Sequence, residues 1–332
     1  MQLSKPAYFD SFRCIAAQCP DSCCKEWDVE VDEASAQYYR GLDGSLGDRL
    51  RQTLYDEDGR TYLAITDGRC PMWRGDGLCR IQAELGEGAL CKTCREFPRL
   101  THDYGDFVEL GLELSCPEAA RIILNTPPVP RITEDIPGGE DPGYDTGAMA
   151  VLKRTRETVL SILADTAYPV GDALVLALLY GYQAQSELDG GEALPFRAAT
   201  ALESARDMAQ PGSFRELTEF FLSLEILTPQ WKQRLTAPVS GSLSERCRPL
   251  ARYFVERYWL QAVSDYDLYC RVKFILLSCL LIAGLGEDFT ETAQLYSKEI
   301  ENNADNVEAI LDAAYTHPAF TDDKLLGMLL NY

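Results

Sequence analysis

Nine cysteines fall within the first 116 residues of this 332-residue chain, and no other feature narrows its possible folds as much. They are Cys14, Cys19, Cys23, Cys24, Cys70, Cys79, Cys91, Cys94 and Cys116, while Cys247, Cys270 and Cys279 are scattered through the remainder. A segment so rich in thiols is held together either by disulfides or by metal, and the redox compartment decides between them. The opening residues, MQLSKPAYFD, lack the basic, apolar and small-residue succession of an export signal, so the expected location is cytoplasmic. In a reducing cytoplasm, metal ligation is the expected role of the nine.

Their spacing supports this. The first group reads C-x4-C-x3-C-C, from Cys14 to Cys24. Adjacent side chains point apart in an extended chain, so Cys23 and Cys24 either serve different metals or wrap a cluster larger than one ion. Cys70 and Cys79 flank an Asp76-Gly77 turn able to fold two distant thiolates together. Cys91-x2-Cys94 has the spacing of a metal knuckle. Nine thiolates suffice for two four-cysteine sites, as tetrahedral zinc or as iron–sulfur clusters. Three of them, Cys19, Cys70 and Cys116, precede proline, which recurs at iron–sulfur ligands and favours a 4Fe-4S cluster over zinc. The C-x3-C-x2-C signature of radical enzymes is absent, since no cysteine stands at position 26. Cys247, Cys270 and Cys279 lie in apolar helical patterns and are expected in a core.

Around the cysteines the pattern is mixed. Positions 33–40 and 45–55 carry helical periodicity, 61–66 and 106–114 alternate as half-buried strands do, and Pro117 opens a helix capped at Ser115 or Cys116. Residues 126–143, rich in proline and glycine, read as a linker. Beyond it, helical spacing recurs over 148–163, 173–182, 196–208, 214–227, 245–263, 268–285, 290–299 and 307–314, which predicts seven or eight helices in an irregular bundle. The expected fold class is α+β: a small cysteine-rich metal-binding domain of short strands and helices (1–125), a linker (126–143), and an all-α domain (144–332). The longest largely apolar run, 274–285, is a core helix rather than a membrane span. With 31 basic against 52 acidic side chains, the net charge of -21 repels nucleic acid and anionic lipid and attracts basic protein.

The C-x4-C-x3-C-C start, the run GLCRIQAELGEGALCKTCREFPR and the later SCPEAARIIL resemble the flagellin lysine-N-methylase family. The likeness is clearest over 8–124 and extends to ARYFVERYWL in the helical half. The resemblance implies methyl transfer from S-adenosylmethionine to lysine amines of flagellin or another surface protein, in an enzyme bearing an iron–sulfur cluster or zinc. No glycine-rich strand-to-helix turn for a nucleotide is found; Gly41-x2-Gly44-x2-Gly47 follows a helical pattern and reads as a loop. The alternative is a binding or maturation factor whose cysteine domain is structural.

Methylation requires a neutral amine, and the site must offset about 4.6 kcal/mol of deprotonation at pH 7. Glu26, Asp28, His102, Tyr104 and Glu113 are candidates near the cysteines for taking the proton, and Trp27 or Trp73 for facing a cation. Each has a plain alternative as a solvated or packing residue; His102 is also a candidate to complete a metal site, though beside Asp103 it reads as a surface histidine. Arg95 and Arg99, flanking the knuckle, are candidates for the donor carboxylate or for a salt bridge. The tyrosines of ERYWL, DYDLYC and LLYGYQ are expected to pack with their hydroxyls at the surface.

Overall fold

The computed structural model describes all residues except 26–28, 238–240 and 287. The candidates Glu26, Trp27 and Asp28 therefore lie outside the described residues. The chain is an α+β protein, its strands confined to the first 135 residues and followed by helices.

In chain order the first part contains β1 (Gln2–Lys5), β2 (Val29–Val31), α1 (Glu33–Gly41), α2 (Gly44–Thr53), β3 (Leu54–Glu57), β4 (Arg60–Leu63), α3 (Arg80–Leu85), α4 (Lys92–Glu96), β5 (Arg99–Asp103), β6 (Phe107–Leu112), α5 (Pro117–Asn125) and β7 (Ile132–Asp135). The expected strands and helices form, and Cys116 caps α5 with Pro117 at its first turn. Gly44, at a φ of +80°, turns the chain from α1 directly into α2, so the glycine series is a helix-to-helix corner and not a nucleotide loop.

Two sheets result. A three-stranded antiparallel sheet runs β2-β4-β3, and a four-stranded sheet runs β5-β6-β1-β7, with β1 parallel to β6. Strand β7 lies inside the proline-rich stretch 126–143. It takes an edge, where missing N–H groups cost least.

The helical part holds ten α-helices among the described residues: α6 (Thr146–Ala164), α7 (Val170–Leu188), α8 (Ala198–Met208), α9 (Phe214–Leu222), α10 (Pro229–Thr236), α11 (Cys247–Tyr258), α12 (Leu268–Gly284), α13 (Phe289–Tyr296), α14 (Ala304–Thr316) and α15 (Asp322–Asn331). That exceeds the seven or eight expected. Helix α10 escaped because PQWKQRLT buries only Trp231 and Leu235, and α15 because its buried residues, 325–329, are consecutive and show no helical spacing. Helix α12 is buried on nearly every side, as its apolar run requires, and Cys247, Cys270 and Cys279 are core residues as expected. No helix of the described residues is long and apolar enough to cross a membrane.

Two apolar cores divide the molecule. The smaller gathers Val29, Val31, Tyr39, Leu50, Leu63, Met72 and Ile81 with Cys70 and Cys91. The larger unites the helical part with Phe9, Phe12, Phe107, Leu112, Leu114 and α5. The four-stranded sheet and α5 thus share their core with the helices.

Candidate functional site

The cysteines assemble from four short segments. Backbone pairing joins the Cys24 carbonyl to the Cys70 N–H at 2.7 Å, and the Asp76-Gly77 turn folds Cys79 back beside Trp73 as expected. Gly77, at a φ of +81°, makes that turn possible. The knuckle is fastened to β2 through the Asp32 carboxylate, which accepts from the Lys92 N–H at 2.8 Å, and through the Thr93 hydroxyl, which donates to the Glu30 carbonyl at 2.8 Å. Cys79, Cys91 and Cys116 each cap the start of a helix, and at Cys79 and Cys116 burial raises the thiol pKa against the opposing backbone N–H groups.

The nine thiols fall into two neighbourhoods. Cys24, Cys70, Cys79, Cys91 and Cys94 belong to, or pack against, the smaller core. Their charges interact: the thiols of Cys23 and Cys70 beside Cys24 favour its anion and bring its pKa to about 3, and Cys94 lowers that of Cys91. Cys14, Cys19 and Cys116 influence one another, and Cys23 feels both Cys14 and Cys116. Cys14 and Cys23 are exposed. The adjacent Cys23 and Cys24 thiols interact directly, and Cys23 also acts on Cys94, so this pair links the two neighbourhoods. Among the described residues no three cysteine, histidine or acidic side chains stand in an arrangement that would hold one ion. An all-sulfur donor set suits a thiophilic ion or an iron–sulfur cluster in its chemistry alone.

The exposed neighbourhood is fixed from far along the chain. Asp21, between Cys19 and Cys23, meets Lys298 at 3.2 Å and accepts from Gln294 at 3.1 Å, while Gln294 also donates to the Ser115 carbonyl at 2.8 Å. After α13 the helix widens into a π turn, Ser297–Glu301, which re-aims several side chains at once. Glu301 receives the hydroxyls of Tyr253 at 3.1 Å and Tyr258 at 2.9 Å, and Arg257 Nε stands 3.3 Å away. This corrects the expectation that the ERYWL tyrosine, Tyr258, reaches the surface: it and Tyr253, earlier in α11, are buried, because Glu301 offers their hydroxyls an acceptor inside. Tyr182 and Tyr269 are partly buried and donate to the half-exposed Asp322 at 2.8 and 2.9 Å. Glu113 lies near this network, and burial raises its pKa against the opposing effect of Arg257.

His102 is not a surface residue. It sits half-buried in β5 opposite Glu109, and burial, reinforced by Arg257, lowers its pKa. It lines an open cleft of about 1050 Å³ with Asp103, Tyr104, Asp141, Tyr144 and Tyr266. Tyr104 stacks on Phe107 at 4.6 Å and meets Tyr144 edge-on at 6.2 Å. A second pocket, of about 650 Å³, lies beyond Phe107 against α6 and α11. No cysteine lines either cavity. Nor do Arg95 and Arg99: both are exposed, Arg95 donating to the Leu90 carbonyl and Arg99 lying over the Phe12 ring at 5.3 Å. The Trp73 ring is covered by the chain's own Arg69 at 4.3 Å and Lys25 at 5.3 Å.

Sequence reasoning missed Gln294, Lys298 and Glu301. They lie within ordinary helical periodicity, and no spacing tied them to the cysteines.

The chain is 33% identical over 132 residues to "Flagellar biosynthetic protein FliU" of Salmonella muenchen, spanning 38% of this chain and 78% of that relative. It is 33% identical over 142 residues to the protein named "Lysine-N-methylase" in Salmonella typhimurium and in Salmonella choleraesuis, spanning 40% of this chain and 35% of each relative. The matched part is thus about a third of the length of those lysine-N-methylases. No family model matches the chain, and no solved structure matches it.

Proposed function

Because this chain belongs to the flagellin lysine-N-methylase family, we propose that it methylates lysine side chains of a flagellin-like protein with S-adenosylmethionine as donor. We assign the nine N-terminal thiols to an iron–sulfur cluster or zinc. The observation that carries the reading is the open cleft in which a neutral histidine, three tyrosines and several carboxylates meet.

Each feature answers a need of the reaction. Asp103, Glu140, Asp141 and Asp145 draw in a cationic lysine, and the faces of Tyr104, Tyr144 and Tyr266 suit its ammonium. His102, held below the usual histidine pKa, is neutral at pH 7, and its imidazole can take the amine proton. Tyr104, pushed up to about 12 by burial, stays protonated and donates. When bound, the donor supplies an electrophilic methyl. Since His102 is already neutral above pH 6.5, the rate should climb from pH 7 to pH 9 with deprotonation of the substrate amine itself.

The test is methyl incorporation into flagellin by anaerobically purified protein. Asp103→Asn with Asp141→Asn should raise KM for the protein substrate at least tenfold with kcat retained, and more steeply at low salt. No donor binding at millimolar concentration, with no incorporation, would sink the reading. A second reading, a metal-binding or maturation factor without activity, is favoured by the absence of cysteines from both cavities, and that same result would establish it.

A further inference from the structure

The pocket beyond Phe107 has an unusual balance of charge. Its floor is neutralised internally: Arg156 holds Glu109 through two 2.7 Å bonds, and Glu256 receives Arg252 at 2.8 Å and Arg131 at 3.3 Å. Arg131 is spent on structure, donating to Ser4 Oγ, the Ser4 carbonyl and the Leu110 carbonyl. Arg154 pairs with Glu187 outside the pocket, which leaves two lining charges, Lys153 and Glu157, one turn apart on α6. Neither forms an ion pair among the described residues. Lysine preceding glutamate is the weaker order for such a pair, and Lys153 instead lies over the Phe107 ring at 3.3 Å. Burial lowers its pKa, so an anion brought beside it would be welcome. The Arg156 Nε is buried without an acceptor.

A free cation and a free anion one helical turn apart match the carboxylate and ammonium of an α-amino acid. The lining also includes apolar Pro128, Val129 and Pro130 and, on α6 itself, Leu160, and a volume of about 650 Å³ exceeds what a proteinogenic amino acid fills. The geometry points to this pocket as the seat of an amino acid carrying a large planar group, namely the methyl donor, with Lys153 on its carboxylate and Glu157 on its ammonium. The inference rests on the proposed methyltransferase reading and places the donor here rather than on Arg95 and Arg99. Phe107 forms a wall of this pocket, and its other contacts, Tyr104 and Tyr144, line the acidic cleft.

The test is calorimetric binding of S-adenosylhomocysteine and of adenosine, which lacks the amino-acid end, to the full chain purified without oxygen. The wild type should bind S-adenosylhomocysteine at least tenfold more tightly than adenosine. Lys153→Gln and Glu157→Gln should each remove most of that difference and leave adenosine affinity unchanged, Lys153→Arg should restore it, and Arg95→Ala and Arg99→Ala should bind as wild type. Unchanged adenosine binding shows that the variants are folded. If Lys153→Gln and Glu157→Gln bind S-adenosylhomocysteine as the wild type does, or if Arg95→Ala abolishes binding, the pocket assignment is overturned while the methyltransferase reading stands. No binding by the wild type overturns both.

Discussion

The two thiol neighbourhoods are built by different forces. Cys24, Cys70, Cys79, Cys91 and Cys94 sit in or against an apolar core closed by local elements between residues 29 and 94. Cys14, Cys19, Cys23 and Cys116 gather at a seam, where Asp21 is fixed by Gln294, 273 residues further on. The first draws its contacts from its own segment, and the second is tied to the helical part through Asp21 and Ser115, both held by Gln294. A metal bound by the first would be a folding element, and one bound beside exposed Cys14 and Cys23 would be open to solvent and to small molecules.

The largest effect should come from the buried set. Cys91→Ser is expected to lower metal content and to remove on the order of 10 kcal/mol from the smaller core. Hydrogen exchange should then show residues 29–94 opening while α6 to α15 stay protected. Unchanged metal and protection would strike Cys91 from the ligands. Next comes the seam: Arg257→Ala leaves Glu301 buried without its cation, a loss of about 3–5 kcal/mol. Here protection should fall in α11 and the π turn, and a loss confined to 29–94 would mean that the two regions are not built separately. Cys14→Ser should release metal from the seam yet shift stability by less than about 1 kcal/mol, since the exposed thiol packs in neither core. A melting loss as large as that of Cys91→Ser would erase the distinction between the neighbourhoods.

The smallest effect has the opposite sign. Burial raises the Glu113 pKa above 4.5, so the folded state holds this proton more tightly than the unfolded one, and stability is lost as pH rises through the folded value. Glu113→Gln should therefore raise the melting temperature at pH 7 and leave it unchanged at pH 4. A lower melting temperature at pH 7 would show that Arg257 needs the charge.

Local signals were legible. The Asp76-Gly77 turn and Pro117 after a capping Cys116 each express a constraint that a few neighbouring residues settle by themselves, whereas β6 forms without the expected alternation, since Phe107, Val108 and Glu109 are all buried. His102 was misread because β5 and its partner β6 bury it, and one strand cannot show what lies across it.

The sequence by itself determined the α+β class, the thiol-rich segment, the burial of α12 and the acidic surface, because composition and short-range periodicity carry that information. Tertiary structure alone decided which cysteines are neighbours, that Tyr253 and Tyr258 turn inward to Glu301, and that Lys153 and Glu157 face one pocket. These depend on pairings between distant segments, where desolvation and the need of every buried polar group for a partner act only after the chain has closed.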